Sequence, residues 1–238
     1  MIARNAARSL PEVLESVGWA DEICVADTGS SDNTKEIADK FGAKTGSIQF
    51  EGFGRAKQEA VNMAAYDWVF SLDSDEVVSP ELRDSILEFL RNPGDFAGAE
   101  FSRITNFCGK WIKHCGWYPE YIMRIFDKKR GRFNAKQVHE SVELNGKITR
   151  LNGDLLHYSY PDIDTYKRKL DEYARLGAKA KKNSPAVLNF IYMLIKPLIV
   201  FLKKIIFQAG FLDGWAGWRI ALYSARGQFL KYKYALKK

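Results

Sequence analysis

Three cysteines are too few to staple a chain of 238 residues, and Cys24, Cys108 and Cys115 form neither an even set nor a C-x-x-C pair. They read as structural thiols of a protein in a reducing compartment. Nowhere does the chain carry the roughly 20 consecutive apolar residues that a bilayer-spanning helix requires. The opening stretch "MIARNAARSLPEVLES" has no apolar core of an export signal, so no export is expected. Neither G-x-G-x-x-G nor G-x-x-x-x-G-K-[ST] occurs, which removes the dinucleotide and P-loop readings. Repeats and low-complexity tracts are missing, and a hydrophobic content of 46% excludes a disordered or fibrous protein. Acids thin out late: residues 160–238 hold 16 basic and 5 acidic side chains, against 20 and 24 in residues 1–159. The overall charge of +7 is therefore regional, and a basic end of this kind suits a solvated face or a phosphate-bearing partner.

What is present is an alternation of strand and helix signals. "EICVAD" is a short apolar run ending in Asp27, followed by turn residues, a helix through Ile37 and Ala38, and Gly42 as its stop. "GFGRAKQEAVNMAAYD" predicts a glycine loop and a second helix, and "WVFSL" a buried strand. "SPELRDSILEFLRN" begins with Ser79 as a cap and Pro80 at the first helical position. Strands alternating with helices imply a parallel sheet covered by helices. Ligands of such sheets bind beyond the C-terminal strand ends, where both Asp27 and Asp73 fall. From residue 97 the aromatic and β-branched content rises, which predicts strands and a long aromatic loop at the sheet edge. A basic helix follows "HYSY". The expected organisation is a catalytic domain over 1–160 and a helical, basic region over 161–238.

"DWVFSLDSDE" sets Asp73, Asp75 and Glu76 directly behind an apolar strand. Carboxylates at i and i+2 past a strand end can hold a hard divalent cation and leave room for phosphate oxygens, which suits a nucleotide-diphosphate substrate. The same residues fit the D-x-D-x-[TV] pattern of phosphatases that form an aspartyl-phosphate on Asp73. Two strand-helix units precede it, however, and no downstream acidic pair follows. A basic, non-catalytic binder is the third possibility, although no nucleic-acid partner is expected because the aromatic-basic pattern of an RNA-binding sheet is missing.

In order along nearly the whole chain, "VADTGSSDNT", "GFGRAKQEA", "DWVFSLDSDEVVSPEL", "GWYPEYIMRIFDK", "VHESVE", "LLHYSY" and "GFLDGWAGWRIALYSA" resemble the family 2 glycosyltransferases of the GT-A fold. The subgroup they resemble is the one that includes lipopolysaccharide-core glucosyltransferases. The resemblance implies inverting transfer of a hexose such as glucose from a nucleotide sugar, typically UDP-linked, with Mn2+ or Mg2+. It places Asp27 at the nucleotide base or ribose, Asp75 as a metal ligand and Asp73 as a ribose or metal contact. Lys57 would reach the diphosphate, His157 would supply a later metal ligand, and Arg124 would pair with phosphate or a carboxylate. The proton of the acceptor hydroxyl needs a carboxylate. Glu140 is favoured, with His139 beside it, and Glu120 is the rival. Trp117 and Tyr118 are candidates to stack on an acceptor sugar. Relatives begin with a complete apolar first strand, so a missing or truncated first strand is expected here.

The run "LNFIYMLIKPLIVFLKKIIFQAGF", residues 188–211, is interrupted by Lys196, Pro197, Lys203 and Lys204. A buried core helix is one reading. A helix in the plane of a membrane interface is the other, and the basic excess favours anionic lipid. The expectation is a peripheral protein on the cytoplasmic membrane face, acting on a lipid-linked or lipopolysaccharide-core glycan.

Overall fold

The computed structural model describes residues 1–135 and 140–237. Two compact units emerge, one of Met1–Arg103 with Glu120–His157, the other of Ile104–Pro119 with Tyr158–Lys238. The second unit thus takes residues 104–119 and resumes at Tyr158.

The first unit opens with β1 (Ile2–Ala3), α1 (Leu10–Ser16), β2 (Cys24–Asp27), α2 (Thr34–Lys40) and β3 (Lys44–Ser47). These strands form a parallel sheet in the order β1-β2-β3, with Ala3 opposite Asp27 and Asp27 opposite Ser47. Gly42, at φ +71°, ends α2 in a left-handed conformation that a side chain would strain. Then come α3 (Phe53–Met63), β4 (Trp68–Phe70), β5 (Glu76–Val78) and α4 (Pro80–Arg91). Ser79 caps α4 as its sequence implies, its hydroxyl accepting the Leu82 amide at 3.2 Å. The first strand is the two-residue β1, and Ile2 also bridges Asp73 in parallel, which puts β1 beside the D-x-D turn.

Long strands follow: β6 (Phe96–Phe107), β7 (Lys110–Ile112), β8 (Glu120–Asp127), the hairpin β9 (Gly131–Phe133) with β10 (Val142–Leu144), and β11 (Lys147–Tyr160). β6, β7, β8 and β11 join β4 and β5 in a six-stranded sheet of order β4-β8-β6-β11-β5, with β7 on β6, while β9 and β10 pair separately. The pairs β4–β8, β6–β7, β6–β8 and β5–β11 are antiparallel, in contrast to the parallel β1-β2-β3 sheet. Val13, Leu82, Ile86, Phe101, Ile125 and Leu155 form the fully or nearly fully buried core between α1, α4 and this sheet.

In the second unit, Phe107, Trp117, Tyr160 and Tyr166 stack edge-on or tilted in an aromatic core, with ring centroids 4.8 to 6.3 Å apart. Three helices complete it: α5 (Ile163–Lys179), α6 (Ala186–Leu202) and α7 (Gly214–Leu236). Tyr192 meets Tyr232 and Phe201 meets Trp218, so α6 and α7 run antiparallel. A π turn (Lys203–Phe207) and a 3-10 turn (Gly210–Asp213) join them. Gly217 allows the tight return, since a Cβ there would stand 1.8 Å from the Gly210 carbonyl oxygen. The core-helix reading of 188–211 fails on exposure: within α6 only Asn189 is buried.

Candidate active site

β4 stops at Phe70, and the chain turns so that the D-x-D-E segment closes on itself. The Glu76 amide donates to the Asp73 carbonyl at 3.1 Å, and the Asp73 amide donates to Glu76 Oε2 at 2.9 Å. Glu76 is fully buried and shares its strand face with buried Val78. An ionised carboxylate there would cost several kcal/mol if left alone. It is not alone: Oε1 accepts from Arg103 Nη1 at 2.9 Å and from Arg124 Nη2 at 3.1 Å. Sequence reasoning gave no role to Glu76 or Arg103. The available signal was an acid at a core-facing position of a strand, in step with Val78.

Asp73 has both oxygens engaged, Oδ1 with Lys57 Nζ at 2.9 Å and Oδ2 with Arg124 Nη2 at 2.6 Å. Burial opposes its ionisation, but Arg124 and then Lys57 outweigh that and hold the carboxyl far below its usual range. Burial likewise opposes the charge on Arg124, and Glu76 and Asp73 more than restore it. Lys57, buried on α3, also reaches Glu140 Oε1 at 2.8 Å. At the other end Arg103 donates to Glu120 Oε2 through Nε and Nη2, at 3.0 and 2.8 Å. One alternating chain of charge results: Glu120, Arg103, Glu76, Arg124, Asp73, Lys57, Glu140. Both candidate bases are its ends. The Glu120 side chain is 47% exposed and that of Glu140 17%.

Asp75 points elsewhere. β11 pairs with β5 so that His157 lies opposite Glu76, and His157 Nε2 comes within 3.5 Å of Asp75 Oδ2. Nδ1 of the same ring is buried without a hydrogen-bond partner among the described residues. A partly exposed carboxylate beside an imidazole fits a divalent cation that takes its other ligands from phosphate and water. Among the described residues no three acids, histidines or cysteines cluster as a self-sufficient metal cage.

Asp27 is buried at the end of β2, where its carboxylate accepts from the Gly29 and Ser30 amides at 3.1 Å and from the Ser30 hydroxyl. It shapes the loop after the strand. Trp117 and Tyr118 belong to the second unit, where Trp117 packs in the aromatic core. His139 lies outside the described residues. A cavity of about 590 Å³ in the first unit is lined by Met1, Trp19, Ile23, Trp68 and Phe70, and of the charged network only Lys57 borders it. Hydrophobic side chains predominate in its walls, with Asp21, Glu22, Asp67 and Arg91 among them.

The family model described as glycosyl transferase family 2 matches residues 1–146, more than half of this chain. The chain belongs to glycosyl transferase family 2. The family 2 chain is 27% identical to an uncharacterized glycosyltransferase of Rickettsia prowazekii, over 97% of its own length and 83% of the relative's. It is 26% identical to LpsC, a lipopolysaccharide core biosynthesis glycosyltransferase of Rhizobium meliloti, over 85% and 78%. Among solved structures it is similar to S. aureus TarS, with 14% identity, a TM-score of 0.46, and coverage of 99% and 88%. Glucosyl-3-phosphoglycerate synthase of Mycobacterium tuberculosis, in complex with Mn2+, UDP-glucose and phosphoglyceric acid, matches over 42% of this chain and 41% of its own, with 23% identity and a TM-score of 0.37. The family 2 transferase has the expected GT-A class of α/β fold, with a parallel N-terminal sheet, flanking helices and a C-terminal helical region. An aspartyl-phosphate phosphatase finds no support, since Asp73, its required nucleophile, is held by two cations.

Proposed function

We propose that the chain is a metal-dependent inverting hexosyltransferase that moves a sugar from a UDP-linked donor to a hydroxyl of a lipid-linked or lipopolysaccharide-core glycan, at the cytoplasmic face of a membrane. The observation that carries this reading is the Asp75–His157 pair standing beside a charged network that ends in two glutamates. Asp75 and His157 would hold Mn2+ or Mg2+, which when bound neutralises charge on the leaving diphosphate. Asp27 and its loop present backbone and hydroxyl groups at the strand end, where the nucleoside is bound. Lys57 offers positive charge next to Asp73, and Arg124 fixes Asp73 from the other side.

In the transfer, an acceptor oxygen forms a bond to the anomeric carbon as the bond from that carbon to the diphosphate oxygen breaks, through an oxocarbenium-like state. The hydroxyl proton passes to a carboxylate. Glu140 serves as this base because Lys57 pins its Oε1, which fixes the carboxylate relative to Asp73. Glu120 is the second candidate, held through two donors of Arg103. The acceptor class draws on the name of the LpsC relative. Trp117 and Tyr118 remain candidates for stacking on an acceptor sugar, although Trp117 already contacts Phe107, Tyr160 and Tyr166. No helix among the described residues is long and apolar enough to cross a membrane.

The deciding experiment compares Glu140→Gln with Glu120→Gln for UDP binding by calorimetry and for UDP release with a panel of nucleotide sugars and lipid-linked acceptors. Glu140→Gln is expected to bind UDP as the native protein does and to lose turnover. The opposite assignment of the two variants would make Glu120 the base, and release of inorganic phosphate instead of UDP would overturn the transferase reading.

A further inference from the structure

The exposed hydrocarbon of the second unit is not confined to the helix that the sequence singled out. α6 presents Ile191, Leu194, Ile195, Leu198, Ile199 and Leu202 as exposed side chains. Because α6 and α7 are antiparallel, the end of α6 meets the start of α7, and the turn between them carries Phe207, Phe211 and Leu212, followed by Trp215 and Trp218. Phe207 is 83% exposed, and Trp215 and Trp218 are 51% exposed each. A soluble monomer rarely leaves so continuous an apolar surface to water.

Charge is withdrawn from this tip and gathered behind it. Lys204, the lysine nearest the tip, turns inward and donates to the Cys115 carbonyl at 2.8 Å. Asp213 is buried, accepting from the Lys113 and His114 amides at 3.2 and 2.9 Å. That leaves Lys203 as the exposed charge between Pro197 and Trp218. Farther back, Lys196 on α6 and Arg219, Arg226, Lys231 and Lys233 on α7 supply positive charge, with Lys181 and Lys182 in the turn before α6. From Tyr173 to the end of the sequence Asp213 is the sole acid, against 13 basic side chains.

We infer that the tip of the α6–α7 hairpin, residues 203–218, enters the headgroup region of an anionic bilayer while the basic side chains of the two helices rest on lipid phosphates. This rests on the membrane-surface reading of the proposed function and names the part of the chain that makes the contact. The bilayer is the occupant the surface fits. Two tryptophans at an apolar tip suit the boundary between acyl chains and headgroups, and two helices that carry basic but no acidic side chains are complementary to anionic lipid. A second copy of the chain seated on the same two helices would set their basic side chains against each other.

The test uses the full chain with phosphatidylcholine vesicles containing or lacking phosphatidylglycerol. Flotation with the anionic vesicles at low salt, weakened by added salt, is expected. Brominated lipids should quench the Trp215 and Trp218 emission, read as the part of the quenching lost in a Trp215→Phe, Trp218→Phe variant. Phe207→Ser with Leu212→Ser should lower vesicle partitioning at least tenfold and leave UDP binding and the melting temperature unchanged. Failure of the native protein to float, or partitioning unaltered by the double substitution, would overturn the inference. So would a native dimer that the same substitutions convert to monomer. UDP binding or release in a protein that does not float would leave the transferase reading standing, whereas flotation of a protein that neither binds nor releases UDP would sink that reading alone.

Discussion

The two units treat charge and hydrocarbon in opposite ways. In the first, Glu76, Arg124 and Lys57 are buried, and each is matched by an opposite charge within 3.1 Å. In the second, the one acid of the hairpin is buried by backbone amides while Phe207, Trp215 and Trp218 face outward. Desolvated, mutually fixed ions are costly to assemble and are retained where their positions matter for chemistry. Exposed hydrocarbon carries a cost in water that is relieved only by association. The contrast separates the place where we propose that bonds change from the place where we propose that the protein attaches.

This contrast can be broken from the first unit outward. Glu76→Ala should have the largest effect on stability, about 3 to 5 kcal/mol, because it leaves Arg103 and Arg124 without their shared buried partner. Denaturant unfolding measures it, and a loss below about 1 kcal/mol would mean that the network is not the rigid unit described. Acid should act next. The folded state holds Asp73 ionised well below its usual pKa of 3.8, so its contribution is present above that value and is lost as pH falls through and beneath it. Asp73→Asn should therefore be less stable near neutrality and show a flatter acid limb in thermal melts carried from about pH 5 down to about pH 2. A native-like acid limb in the variant would contradict the assignment of that charge. Phe207→Ser marks the small end, within about 0.5 kcal/mol of the native stability, since a side chain 83% exposed loses little on truncation. A larger loss would show that the tip is packed and not presented.

Much of the first unit was legible because its signals are local. Asp27 and Asp73 close apolar runs, Ser79 precedes Pro80, and Gly42 follows a helical pattern; each feature needs only its neighbours in sequence. Lys57 and Arg124 were found as basic residues in motifs, but their partners were not, since pairing Lys57 with Glu140 joins positions 83 residues apart. Arg103 escaped for the same reason: nothing near "FSRIT" shows that β6 and β8 align it with Glu120. Glu76 was visible but given no role, because an acid after D-x-D reads as a solvated loop until its strand register with His157 is known. In the second unit, the apolar run was read as a membrane-facing helix, yet its continuation into Phe211, Trp215 and Trp218 depends on the antiparallel return of α7. Periodicity within one helix carries no information about that return.

The central claim, that the Asp75–His157 pair and the neighbouring network form a sugar-transfer site, is tested most directly by UDP release from nucleotide sugars in the presence of Mn2+ and a lipid-linked acceptor. The native chain should release UDP, and Asp75→Ala, folded and with an unchanged melting temperature, should fall below a tenth of the native rate, a penalty above about 1.4 kcal/mol. A folded Asp75→Ala variant that keeps more than about a tenth of the rate, or a rate indifferent to removal of the divalent cation by chelation, would contradict the account.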